Sequence, residues 1–181
     1  MTNLSYDFYT PEVYDHFSNP HHAGQLPNPT SVGEVGNIVC GDMMRIYLQI
    51  NPDPQTNQPT ITDISFETYG CAAAIATSSI TTDLAHNKTL EQALRITKDE
   101  VVKGLTNLPP QKIHCSILAV DALGEAIYNY YAQENLPIPP ELQTRHDHIT
   151  KQQEILNKRY EAWTKQGEYI PEEDEDETNS L

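Results

Sequence analysis

An α+β fold, a three-stranded antiparallel sheet packed against helices with an extra C-terminal helix and an acidic tail, is what the sequence predicts. Three observations point to it. Apolar and polar residues alternate over 43–50, where Met44, Ile46, Leu48 and Ile50 share one face, with strand-like stretches at 31–38 and 60–67 on either side. After Gly70 the pattern changes to Ala72, Ala73, Ala74, Ile75, Ala76, Ile80 and Leu84, a small-residue helix that can lie close to another backbone. Beyond a proline-rich break at 136–140, Leu142, Ile149, Leu156 and Trp163 recur every seven residues.

Thr10 and Pro11 take the cap and first-turn positions of a short helix within 9–18 that carries Val13, Tyr14 and Phe17, and Asn19-Pro20 ends it. Residues 20–30, rich in Pro, His, Gly and Asn, read as a surface loop leading to the first strand. In the third strand Ile61, Ile64 and Phe66 are the apolar positions. The loop between the second and third strands, 51–59, is too proline-rich for strand and reads as a flexible hairpin tip without chemistry. Thr89 caps a short helix bearing Leu90, Ala93 and Leu94, and Thr97 pairs with Glu100 as a capping box for another through Leu105. Leu108-Pro109-Pro110 stops that helix. A long one begins near Cys115 and runs to about Gln133 on a stripe of Leu118, Ala122, Ala126 and Ile127.

The organisation expected is a body over 1–135, a stiff linker over 136–140, an accessory helix over 141–167 and a disordered acidic tail over 168–181. The thin seam of the accessory helix suits docking on the body or on another subunit, so a homo-oligomer is one of its readings. With 181 residues the chain suits one compact domain plus appendages. Its net charge is −15, and 168–177 hold seven acids and no base; nineteen acids and eleven bases elsewhere leave the body at −8. No Lys/Arg cluster is present to neutralise phosphates, which argues against nucleic-acid binding. No apolar run approaches the roughly 20 residues of a membrane span, and the N-terminus shows neither a secretory core nor an Arg-rich presequence, so a cytoplasmic protein is expected. Three cysteines, an odd number, favour metal or thiol chemistry over a disulfide framework.

The residues able to do chemistry are Cys40-Gly41-Asp42, Gly70-Cys71 and His114-Cys115, each at an element boundary. Cys40 and Asp42 are two apart, so on extended backbone both would project from one face. Cys71 and Cys115 fall at predicted helix starts, where the macrodipole favours a thiolate. Three sulfurs with Asp42 or His114 could complete a tetrahedral zinc site or the protein side of a [2Fe–2S] cluster, and spacing alone also allows three unrelated thiols. No CxxC knuckle of a structural zinc finger is present.

Three longer stretches narrow the choice. They are Val35-Gly36-Asn37-Ile38-Val39-Cys40-Gly41-Asp42-Met43-Met44, Phe66-Glu67-Thr68-Tyr69-Gly70-Cys71-Ala72-Ala73-Ala74-Ile75-Ala76-Thr77-Ser78-Ser79 and Leu108-Pro109-Pro110-Gln111-Lys112-Ile113-His114-Cys115-Ser116. Together with Tyr9, Val13-Tyr14-Asp15-His16 and Asn19-Pro20, they resemble the IscU/NifU-type iron–sulfur scaffold family over about residues 6–135. The resemblance implies that Cys40, Cys71 and Cys115 hold a [2Fe–2S] cluster, with Asp42 or His114 as the exchangeable fourth ligand. It also implies that Cys115 accepts persulfide sulfur from a cysteine desulfurase. Iron, an electron donor such as a ferredoxin and acceptor apo-proteins complete the implied set of cofactors and partners, with zinc in the cluster-free form. The protein would bind and deliver, not catalyse. Lys112 would pair with Asp42 or a cysteine thiolate, and Tyr9 matches a tyrosine tied to dimerisation. Two further readings use the same cysteines: a zinc-bound sulfurtransferase partner of the desulfurase, and a protein that keeps its cluster for redox or sensing.

Departures from the family are specific. The chaperone-recognition stretch, Leu-Pro-Pro-Val-Lys in the family, reads Leu108-Pro109-Pro110-Gln111-Lys112, which removes an apolar anchor for an Hsp70-type chaperone. His21-His22 stand where the family carries Arg-Asn. The CxxC ferredoxin-like part and C-terminal thiol domain of full-length NifU, and the insertion typical of SufU relatives, are absent from this sequence. His16, His86, His146 and His148 read as surface or packing residues.

Overall fold

The structure is a computed structural model that describes residues 8–37 and 41–166, the side chains of 156 and 159–166 excepted. Strands β1 (Ser31–Asn37), β2 (Asp42–Pro52) and β3 (Pro59–Tyr69) form an antiparallel sheet in the order β1-β2-β3. The alternation read from the sequence sets its inner face: Met44, Ile46, Leu48, Ile61 and Ile64 are at most 1 % exposed. Strands β2 and β3 reach further than the proline-rich loop suggested, to a Pro52–Pro59 pair, where proline at a strand end forfeits little of the ladder. The tip is six residues, 53–58, and hydrogen bonds to Asp53 shape it. Asp53 Oδ1 accepts from the backbone N–H of Gln55 and Thr56 and from the Thr56 hydroxyl, an Asx turn that lowers the Asp53 pKa.

The helices begin where the capping residues place them. Thr10 caps α1 (Pro11–Ser18), and Thr89 and Thr97 form capping boxes with Gln92 and Glu100 at α3 (Leu90–Ala93) and α4 (Lys98–Gly104). Helix α2 (Ala72–Ala85) buries Ala73, Ala74 and Ala76 completely, and α1 lies along it. A 3₁₀ turn (Pro110–Lys112) leads into α5 (Ile113–Gln133), which starts two residues before Cys115. Helix α6 (Pro140–Gln166) opens at Pro140, inside the stretch read as linker, because an N1 proline costs no hydrogen bond. Residues 136–139 carry no regular structure. Two compact units divide the chain, Met1–His146 and Asp147–Leu181. Within the first, Leu142 is buried, Arg145 Nε donates to Asp121 at 2.7 Å, and His146 bonds the buried Glu125 at 2.8 Å while stacking on Tyr128. The side chains of Leu156 and Trp163, and the acidic tail, lie outside the described residues. No helix among the described residues is long and apolar enough to cross a membrane.

The outer edge of β3 is covered by two loop segments. Gly24 N–H donates to Phe66 C=O at 2.8 Å and Phe66 N–H to His22 C=O at 3.0 Å, while further along Asn87 N–H and Ile61 N–H bond across to Ile61 and Lys88 carbonyls. On the other side β1 lies flush against α5. A Cβ on Gly33 would sit 2.2 Å from Ala126 N and 2.3 Å from Ala122 O, both backbone atoms. Gly33→Ala is therefore expected to destabilise the body by about 3 kcal/mol or more, whereas Gly36→Ala, whose Cβ would meet only a Met43 side-chain atom at 3.9 Å, should stay within about 0.5 kcal/mol. Urea unfolding of the two variants checks this pair.

Candidate metal centre

Three elements meet at one end of α2. Cys71 is the N-cap of α2 in extended conformation, and its side chain makes no cap hydrogen bond, leaving the sulfur to face the neighbouring α5 start. Asp42 opens β2 and is 5 % exposed. His114 and Cys115 lie in the first turn of α5, with Cys115 fully buried. The Cys115 thiol donates to Asp42 Oδ2 at 3.8 Å, and its sulfur lies 3.5 Å from His114 Nε2. One donor atom each from Asp42, His114 and Cys115 falls within 4.8 Å of the other two. Lys112 Nζ donates to Cys71 Sγ at 3.5 Å, so of the two partners expected for this lysine the structure selects the cysteine. Tyr9 packs against the same buried cluster as Cys71 and Cys115.

Gly70 makes room for the carboxylate. A Cβ there would come within 2.9 Å of Asp42 Cγ and Oδ1 and 2.8 Å of Ala74 Cβ. Gly41 has φ +74°, and its N–H bonds Asn37 C=O at 2.8 Å. The backbone before Asp42 is thus turned instead of extended, which removes the premise that Cys40 and Asp42 share a strand face. Cys40 itself lies outside the described residues.

The electrostatics suit an incoming cation. Burial pushes the Cys115 thiol above its ordinary pKa, and the charges of Cys71 and Asp42 push it the same way. Negative charge on Cys71 raises the Lys112 pKa, and burial followed by Cys71 raises that of Tyr9. Asp42 has lost most of its water, and a thiol at 3.8 Å is a weak donor to set against that desolvation. Sulfur, imidazole and carboxylate donors converging on such a carboxylate are a chemically consistent ligand set for iron or zinc.

A second convergence was not legible in the sequence. His16, His21 and Asp83, from three separate stretches, also bring one donor atom each within 4.8 Å of the others. The only local signal was the pair His21-His22 five residues after His16.

Known proteins resemble this chain in sequence and in fold. Residues 8–136 match the family model described as the NifU-like N terminal domain. The chain is 50 % identical over 123 residues to iron–sulfur cluster assembly scaffold protein IscU 1 of Archaeoglobus fulgidus, covering 68 % of this chain and 76 % of that one. To the IscU of Aquifex aeolicus it is 39 % identical over 126 residues, covering 70 % and 78 %. Among solved structures, one described as a hypothetical protein superposes with a TM-score of 0.53 at 31 % identity, covering 65 % of this chain and 94 % of that one. The N-terminal part of a nitrogen-fixing NifU-like protein from Brucella abortus shares the fold at a TM-score of 0.54 and 21 % identity, over 70 % and 96 %.

The thiol environments give a test. In metal-free protein kept reduced, iodoacetamide is expected to modify half-buried Cys71 well before Cys115, because raising the Cys115 pKa lowers its thiolate fraction at neutral pH. Cys115 labelling should still be climbing at pH values where an ordinary thiol has levelled off, as peptide mass spectrometry over a pH series would show. On sequence, fold and site together, the chain belongs to the NifU-like N-terminal domain family, whose members include the IscU scaffold proteins.

Proposed function

We propose that this protein is a scaffold on which a [2Fe–2S] cluster is assembled and from which it passes to acceptor apo-proteins. The observation that carries the reading is the meeting of Asp42, His114 and Cys115 at one point, with the Lys112–Cys71 pair alongside. The names of the IscU relatives support it. Cys40, Cys71 and Cys115 supply thiolates, and Asp42 or His114 supplies the fourth ligand. An oxygen or imidazole donor holds iron less firmly than a fourth thiolate, which suits a cluster that is cargo.

Sulfur arrives as a persulfide on a cysteine desulfurase. The Cys115 thiolate attacks the outer sulfur, the desulfurase thiolate leaves, and two electrons from a donor such as a ferredoxin reduce the transferred sulfur to sulfide. Cys115 is fully buried, so the turn bearing Lys112 has to swing aside when the desulfurase docks. Lys112, already on a sulfur, then stabilises the thiolate as it forms. Beside this turn a groove of about 740 Å³ runs between Tyr9, Tyr14 and the Leu108-Pro109-Pro110-Gln111 strip. It is the proposed seat for the desulfurase or an Hsp70-type chaperone, with Gln111 offering an amide where an apolar anchor would grip. Tyr9, which lines the groove, meets a second copy during sulfur reduction in this reading. The protein binds and delivers without turnover of its own, in the cytoplasm.

Anaerobic reconstitution with a cysteine desulfurase, ferrous iron and reductant should give a visible-absorbing protein whose colour moves to an apo-ferredoxin. Protein that stays colourless and carries stoichiometric zinc through the same treatment would show the zinc-bound sulfurtransferase reading to be right instead. A cluster that forms and never leaves would favour the cluster-retaining one. Asp42→Ala is expected to assemble a cluster and release it at least tenfold more slowly, since the most labile position is lost. Transfer to the acceptor followed by circular dichroism measures that rate.

A further inference from the structure

Helix α2 ends in a second group of ligating side chains. His16 near the end of α1 is 9 % exposed, and its Nδ1 lies 2.8 Å from Ser79 Oγ on α2. The same Ser79 Oγ accepts the backbone N–H of His21 at 2.8 Å, so one hydroxyl fixes both histidines to the helix. One turn further along α2, Asp83 Oδ2 lies 2.7 Å from His21 Nδ1, and its Oδ1 lies 3.4 Å from His22 Nε2. His22 has φ +56° and is held there by the backbone hydrogen bonds that residues 22 and 24 make with Phe66. The His16 and His21 rings lie 4.9 Å apart. The Asp83 carboxylate sits in the last turn of a helix, where the dipole disfavours an anion, and that turn contains no basic residue. Its ion-pair partners among the described residues are histidines.

We propose that His16, His21 and Asp83 form a binding site for a divalent first-row transition metal ion, separate from the cysteine centre, with His22 beside it as a further donor. The donor set is two imidazoles and a carboxylate, borderline ligands suited to zinc or ferrous iron and poor for magnesium or calcium. Their donor atoms lie within 4.8 Å of one another, against roughly 3.3 Å between ligands around a tetrahedral ion, so closure takes about an ångström of side-chain movement. Ser79, bonded to Nδ1 of His16, is the outer partner that orients the ring. Asp83 lies twelve positions beyond Cys71, about 18 Å along the helix axis, too far for one ion to serve both places.

Zinc and cobalt titrations of the full chain, without iron or sulfide, test the site independently of whether a cluster is ever built. Wild-type protein should bind a zinc equivalent that perturbs the His16 and His21 ring resonances, and cobalt there should show d–d absorption without thiolate-to-cobalt charge transfer. His21→Ala and Asp83→Asn should each weaken that equivalent at least about a hundredfold, and Ser79→Ala ten- to a hundredfold, with thiolate-to-cobalt charge transfer intact. His21 is half-exposed, so its removal leaves the body folded, and circular dichroism verifies this. The assignment is overturned if zinc leaves the His16 and His21 resonances of the wild type unmoved. It is equally overturned if folded His21→Ala and Asp83→Asn retain wild-type stoichiometry and affinity.

Discussion

The close approach of α2 to α5 is the constraint on which the metal centre depends. Ala73, Ala74 and Ala76 are wholly buried, and Thr77 Oγ1 lies 3.1 Å from Ala74 C=O and 3.2 Å from Cys115 C=O, tying the two helices at the level of the ligand. Larger side chains on this face would push the helices apart, and the residues at their starts would separate with them. Asp42 joins from the sheet because Met44, two residues later, packs against the same helix, its sulfur 3.2 Å from Ser78 Oγ. The geometry of the site therefore follows from packing of small residues one turn away from the ligands themselves.

Much of this was legible in advance. Strands, caps and the small-residue helix followed from period and capping chemistry, because those signals are local and the same residues carry them in the folded chain. The Cys71 and Cys115 motifs were legible for another reason: each sets its cysteine at the helix start that presents it. Gly70 shows the limit of such reading. Its place before Cys71 suggested a turn, yet its contact is with Asp42, far away in sequence, and only the pairing of β2 with β3 brings that carboxylate under it. Likewise the 51–59 loop read as outside the strands because prolines break ladders, while the ladder runs on to Pro52–Pro59 and an Asx turn on Asp53 closes the tip, which composition does not reveal.

The histidines illustrate a further limit. Read singly, His16 lacks any cysteine at ligand spacing and reads as packing; the fold adds a bond to Ser79 and sets its ring beside that of His21. His21 and His22 belong to a loop with no periodic signal. What joins them is Asp83, brought over by the α1–α2 contact, and no window of sequence contains all of them. Distant convergence of this sort is invisible to spacing rules, which find ligands sharing a knuckle or one helix face.

The two ends of α2 also differ in electrostatic sense. Its N-terminus presents N–H groups and a partial positive charge beside Cys71, which suits the accumulation of negative sulfur there. Its C-terminus presents carbonyls and a partial negative charge beside Asp83, which favours a cation. A thiolate centre at the first end and a cation site at the second both follow the dipole, and exchanging them would set each against it. The same helix that brings the cysteines together thus also separates, by its length, the place suited to anionic sulfur from the place suited to a bare metal ion.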